Sequence, residues 1–129
     1  MKKRIMSFKH AIRGIRMVLK SERNMQIHLF FVFAVVVAGI LCRISTTEWL
    51  VCMLAFGMVM GAEMLNTAIE TLVDLVSPGH NELAGKSKDI AAGAVLISAL
   101  FAAIAGLVIF VPKLAPVFQS VWSYIASAI

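Results

Sequence analysis

From Met25 to Cys42 the chain runs for eighteen residues without a formal charge. As a helix rising ~1.5 Å per residue such a stretch is about 27 Å long, close to the hydrocarbon thickness of a bilayer. A helix also satisfies its own backbone hydrogen bonds, which lipid cannot do for it. The run therefore predicts a membrane span over 25–42. A second oily run begins at Trp49, a residue type that anchors at membrane interfaces, and continues through Val76, where Ser77, Pro78 and Gly79 break it. A third, uncharged, extends from Ile90 to Val111 and is expected to end at Pro112. Spans at 25–42, 49–76 and 90–111 account for why 60% of the 129 residues are apolar, too many for a soluble domain of this size. The fold class expected is an all-α membrane protein.

Ahead of the first span the pattern changes. Lys2, Lys3, Arg4, Lys9, Arg13, Arg16, Lys20 and Arg23 are eight of the chain's twelve cations, and Ile5, Phe8, Ile12, Ile15 and Leu19 recur at steps of three and four. This spacing predicts an amphipathic surface helix over 1–24, lying on an anionic membrane surface. The cations have apolar neighbours and no interleaved aromatic platforms, so the excess positive charge does not point to nucleic acid. A basic amphipathic stretch of this length also differs from a cleaved signal peptide. Counted at the span ends, the cations favour the N-terminal flank and the second loop, which carries Lys86 and Lys88, over the Arg43 turn and Lys113. The N-terminus and that loop are expected on the cytoplasmic side of the inner (cytoplasmic) membrane. Residues 114–129 carry no charged side chain and mix Phe118, Trp122 and Tyr124 with Gln119, Ser120 and Ser123, as an interfacial tail helix would. All of 1–129 is expected to form one integral-membrane domain. Cys42 and Cys52 read as two free apolar thiols, and neither His10 nor His28 has the spacing of a zinc site.

The second span is the unusual one, because "AEMLNTAIETLVDL" places Glu63, Asn66, Glu70 and Asp74 in it. At ~100° per residue, all four fall within about 80° of arc on one helix face. A carboxylate at the bilayer centre costs at least ~2.5 kcal/mol, so a stripe of them must meet a cavity, a cation or another polar surface. Asp74, near the helix end, could simply be solvated, and Asn66 could serve as interhelical packing glue. Two functional readings stay open. A proton or cation conduit would string acids through the full depth of the bilayer, whereas the half from Trp49 to Ala62 has none. A site that takes an anionic substrate through a divalent cation needs hard carboxylate oxygens, a cation for phosphates and a base near the lipid boundary. Glu22 and Glu70 could share such a metal ion, with Lys88 and Asp89 near the same interface.

The segments "SFKHAIRGIRMVLKSERNMQIH", "GAEMLNTAIETLVDL" and "ELAGKSKDIAAGAV" together resemble the small prokaryotic diacylglycerol kinase family, which includes the undecaprenol kinases of Gram-positive bacteria. The likeness covers about residues 7–113, and its core is Glu63-x-x-Asn66-Thr67-Ala68-Ile69-Glu70-x-x-x-Asp74 with Ser87-Lys88-Asp89 downstream. It implies a homotrimer of chains, each with a surface helix and three transmembrane helices, and with active sites shared between neighbours. It implies an enzyme: a lipid kinase with ATP as co-substrate and Mg²⁺ as cofactor, moving the γ-phosphoryl group to the hydroxyl of a membrane lipid on the cytoplasmic side. By this resemblance Glu63 is the general base, Glu22 and Glu70 bind the metal, and Lys88 and Asp89 stand against the nucleotide phosphates. Asn66 and Asp74 support the site. His80, Asn81 and Glu82 fall in the loop that holds ATP, although "PGHNEL" departs from the Glu-Tyr-His-Glu run of the enterobacterial members. "SERNMQIH", "TTEWL" and "GLVIFVPKL" look more like the undecaprenol kinases, so undecaprenol is the expected lipid alcohol and undecaprenyl phosphate the product, with diacylglycerol and phosphatidic acid as the alternative. No Gly-rich phosphate loop of the soluble nucleotide-binding kind is present.

Overall fold

A computed structural model describes residues 2–127, with side chains from Arg4 through Pro116 and at Gln119 and Ala126. Four helices follow in order: α1 over Lys2–Ser21, α2 over Arg23–Leu41, α3 over Thr46–Val76 and α4 over Glu82–Ser127. Three of them are long and apolar enough to cross a membrane: Arg23–Leu41, Thr46–Val76 and the Glu82–Pro116 part of α4. The chain is a membrane protein, and no strand occurs among the described residues.

The corner between α1 and α2 is a single extended residue, Glu22, at φ −95° and ψ 116°. Its N–H still bonds Val18 O at 2.9 Å, and the Gln26 amide donates to the orphan carbonyls of Leu19 and Lys20 at 3.3 and 3.4 Å. Met25, 1% exposed, and Val18 are buried at this corner, and α1 packs against α2 and α3. The other apolar side of α1 has no protein cover: Ile5, Phe8, Ile12, Ile15 and Met17 are exposed, as an interfacial helix requires.

At the far end, α2 closes in a Schellman turn. Ile44 N–H bonds Gly39 O at 3.1 Å and Arg43 N–H bonds Ile40 O at 3.2 Å, with Arg43 in the left-handed region at φ 48°. Gly39 is needed here for a different reason, since a Cβ on it would stand 2.7 Å from Trp49 Cη2. A capping box then starts α3. Ser45 N–H donates to Glu48 Oε2 at 2.6 Å and Glu48 N–H to Ser45 Oγ at 3.3 Å, so the helix begins at Thr46 rather than at Trp49.

Helices α3 and α4 form the principal antiparallel pair, and α2 packs on α3. Ion pairs clamp that hairpin at both ends: Lys113 Nζ to Glu48 Oε1 at 3.1 Å, and Lys88 Nζ to Asp74 Oδ1. Around the first clamp Ile44, Cys52, Ile109 and Phe110 form the buried cluster, with Cys42 packed on it; both cysteines are free thiols.

Two sequence expectations are corrected. The polar loop is short, because the Asn81 side chain accepts from Leu83 N–H at 2.9 Å and Ala84 N–H at 3.1 Å. This cap starts α4 at Glu82, which puts Lys86, Lys88 and Asp89 on helix instead of loop. Nor does the helix of the third oily run end at Pro112, for α4 runs unbroken through Pro112 and Pro116. A proline costs a helix one backbone bond and a local kink. Here Phe110 and Leu114 pack on the cluster and Lys113 pairs with Glu48, so tertiary contacts hold the helix on both sides of the residue. The side chains of Phe118, Trp122 and Tyr124, expected to anchor the tail, lie outside the described residues, as do Ala128 and Ile129.

Candidate active site

Over the surface of α3, the space between α2 and α4 is open, and it holds a cavity of about 310 Å³. Asn24, Ile27 and His28 of α2 line one wall, Glu63, Asn66 and Glu70 of α3 the floor, and Ala92, Val95, Leu96 and Ala99 of α4 the other. The alanines of α4 leave the room that larger side chains would fill. Of the four residues expected on one face, Glu63, Asn66 and Glu70 share this cavity, whereas Asp74 lies outside it and pairs with Lys88.

Glu63 is 2% exposed and Asn66 8%, although both are polar and neither sits at a helix end. The Asn66 amide donates to Glu70 Oε1 at 2.9 Å, which orients both groups. Glu63 Oε2 and Asn66 Oδ1 are buried with no hydrogen-bond partner among the described residues. Two orphaned acceptors on residues of one cavity are costly, by roughly 1–3 kcal/mol each and more for a charged group. Such a site is complementary to something that brings cations or donor hydrogens. At ~1.5 Å per residue Glu63 stands about 26 Å along α3 from Thr46, near the far edge of a ~30 Å hydrocarbon core.

The remaining predicted residues are not in this cavity. Glu22 sits at the α1–α2 corner, where its Oε1 accepts from the Ser21 hydroxyl at 2.9 Å. Lys88 is tied to Asp74 at the cavity end of the α3–α4 hairpin. Asp89, His80 and Glu82 are exposed at the same end, and Asn81 caps α4. Among the described residues no three His, Cys, Asp or Glu side chains converge to hold a metal ion. Sequence reading missed Asn24 and His28. They stand four apart in the first turns of α2, and that polar pair on one face was the available signal.

A second, apolar cavity of about 560 Å³ adjoins the first and shares Ile27, His28 and Ala99 with it. It follows the same cleft toward Phe110, Val111 and Leu114. A membrane helix bundle with a buried acidic pocket opening into a hydrocarbon-lined cleft is built to bring a polar reactant and a lipid together.

The comparisons with known proteins agree. Residues 9–110 match the family model for prokaryotic diacylglycerol kinase. The chain is 46% identical over 108 residues to an undecaprenol kinase of Bacillus subtilis, covering 84% of this chain and 88% of that one. It is 40% identical over 111 residues to a diacylglycerol kinase of Synechocystis, covering 85% and 63%, and 27% identical over 94 residues to a diacylglycerol kinase of Haemophilus influenzae, covering 73% and 80%. The chain belongs to the prokaryotic diacylglycerol kinase family, and with it to the lipid kinases, whose co-substrate is ATP.

Proposed function

We propose that this enzyme transfers the γ-phosphoryl group of ATP to the hydroxyl of undecaprenol, with Glu63 as the base. The observation that carries the reading is the buried Glu63 carboxylate, whose Oε2 has no hydrogen-bond partner among the described residues, in a polar pocket that adjoins an apolar cleft. The lipid tail occupies the cleft and its hydroxyl reaches Glu63. The new O–P bond forms as the bond from the γ-phosphorus to the bridging oxygen breaks; ADP leaves and Glu63 accepts the hydroxyl proton. Because phosphoryl transfer has a loose transition state, in-line positioning and neutralisation of phosphate charge carry most of the catalysis. Lys88, held in place by Asp74, supplies positive charge at the nucleotide end, with Asp89, His80, Asn81 and Glu82 around it. Asn66 fixes the rotamer of Glu70 through its hydrogen bond.

The hard oxygens of Glu63, Asn66 and Glu70 suit Mg²⁺, and Glu70 with Glu22 would hold it. When bound, the ion supplies charge neutralisation at the phosphates. Glu22 lies outside the pocket of its own chain, and this supports a homotrimer in which neighbouring chains complete each site. The cations gathered on α1 support an anionic leaflet beneath it and the cytoplasmic side of the inner membrane for the site. Undecaprenol is favoured over diacylglycerol by the likeness to the Bacillus subtilis undecaprenol kinase.

The test is ATP consumption by the purified protein in mixed micelles containing Mg-ATP. It should require a lipid alcohol, and undecaprenol should outcompete diacylglycerol at equal mole fraction. Co-expression of Glu22→Gln and Glu63→Gln chains should restore part of the activity that each lacks alone, if sites are shared. Lipid-independent ion flux through vesicles with no ATP turnover would favour the conduit instead. The hydrocarbon lining of the cleft beyond His28 speaks against that route.

A further inference from the structure

Three residues line both cavities, Ile27, His28 and Ala99, and of these His28 alone has polar side-chain atoms. It is half-buried on α2, across the pocket from Glu63 of α3. Among the described residues, every other side chain around the apolar cleft is hydrocarbon, thioether or the hydrogen of a glycine. A lipid alcohol whose tail fills the cleft therefore passes its head beside the imidazole before reaching the carboxylate. Imidazole carries an N–H donor whether neutral or protonated. A donor at this point engages the lone pair of the acceptor oxygen and leaves that oxygen's proton directed at Glu63.

The same geometry restricts what can follow the hydroxyl. Past His28 the wall offers no hydrogen-bond donor from any side chain among the described residues, so carbonyl oxygens placed there lose water without replacement. A hydrocarbon chain that begins at the hydroxyl-bearing carbon meets no such cost.

We propose that His28 is the specificity-determining residue of the lipid site: it hydrogen-bonds the acceptor hydroxyl and selects linear prenols, whose apolar tail starts at the alcohol carbon, over glycerol esters. This rests on the kinase reading of the same pocket. The role is one of positioning and selection, and Glu63 keeps the proton.

The experiment compares the wild type with His28→Ala, His28→Asn and His28→Gln as full-length protein in mixed micelles, with undecaprenol or dioleoylglycerol at varied mole fraction and saturating Mg-ATP. For His28→Ala, kcat/KM for undecaprenol is expected to fall roughly 5–30-fold, the effect of one hydrogen bond. Its preference over dioleoylglycerol should narrow by a similar factor while KM for ATP stays unchanged. The Asn or Gln variant, which retains a donor, should recover most of both. The inference is overturned if His28→Ala keeps the wild-type lipid preference, or if the donor-bearing variants, eluting as the wild type does, are no better than alanine. It is also overturned if lipid and ATP parameters decline together. Absence of lipid-dependent turnover in the wild type would instead remove the kinase reading itself.

Discussion

Replacing Glu63 by glutamine separates a catalytic carboxylate from a structural one, because the two roles predict opposite changes in stability. Glu63 is 2% exposed, and its Oε2, like Asn66 Oδ1 in the same cavity, has no donor among the described residues. An unsatisfied buried acceptor costs about 1–3 kcal/mol, and an ionised one more. Glutamine has nearly the same shape and carries no charge, so the ionic part of that cost is removed. The substitution should therefore stabilise the ligand-free protein by about 1 kcal/mol or more, raising the thermal midpoint in detergent by a few degrees. In the same variant the hydroxyl loses its proton acceptor. General-base removal lowers kcat by about 10²- to 10⁴-fold, or roughly 3–5 kcal/mol in the barrier. The assay is paired: unfolding of the apoprotein by near-UV circular dichroism, and initial rates of lipid-dependent ADP release. A variant that keeps its rate, or one that loses activity while also melting at lower temperature, would refute the reasoning. In the second case the carboxylate would be holding the bundle together.

The Lys88–Asp74 pair can be dissected by the same logic. The pair is substantially exposed, so either half is worth at most about 1 kcal/mol to stability; Lys88→Met is expected to raise KM for ATP several-fold beyond the effect of Asp74→Asn, and equal effects in the ATP titration would reduce Lys88 to a structural tie. Gly39→Ala forces the Trp49 ring and Ile44 Cδ1 to move, since the new Cβ would lie 2.7 and 3.0 Å from them. Overpacking of this sort costs about 1–3 kcal/mol, whereas Gly57→Ala, with nothing within 4 Å in the chain, should be neutral or slightly stabilising in the same melting experiment. Asn81→Ala removes the cap of α4 and should cost about 1 kcal/mol. Faster hydrogen exchange would then be confined to residues 83–86, and exchange spread along the whole of α4 would contradict a local cap.

Much of the architecture is local and therefore legible in the residues. Eighteen charge-free residues after a basic stripe specify a span preceded by a surface helix, because backbone hydrogen bonding in lipid leaves one solution. The apolar side of α1 at Ile5, Phe8 and Ile12 is uncovered by protein, as its periodicity requires. The gathering of Glu63, Asn66 and Glu70 follows from 3.6-residue geometry alone, since these positions share a face whatever packs against it. Pro112 misled for the same reason. Proline is a local signal, and the forces that carry α4 through it, the Lys113–Glu48 pair and the packing of Phe110 and Leu114, come from distant parts of the chain.

What the sequence determined by itself, then, is that this chain lives in a membrane as helices and presents an acidic face at one depth. Family membership was visible in the same motifs. Tertiary structure alone decided which side chains meet that face. Between α2 and α4 a cleft opens in which Asn24 and His28 join Glu63, while Glu22 stays at the corner outside it. The physical reason is one of range. A helix fixes the directions of its own side chains through bonds four residues apart, but the partner across a cavity is chosen by crossing and register between helices, which depend on contacts far separated in the chain.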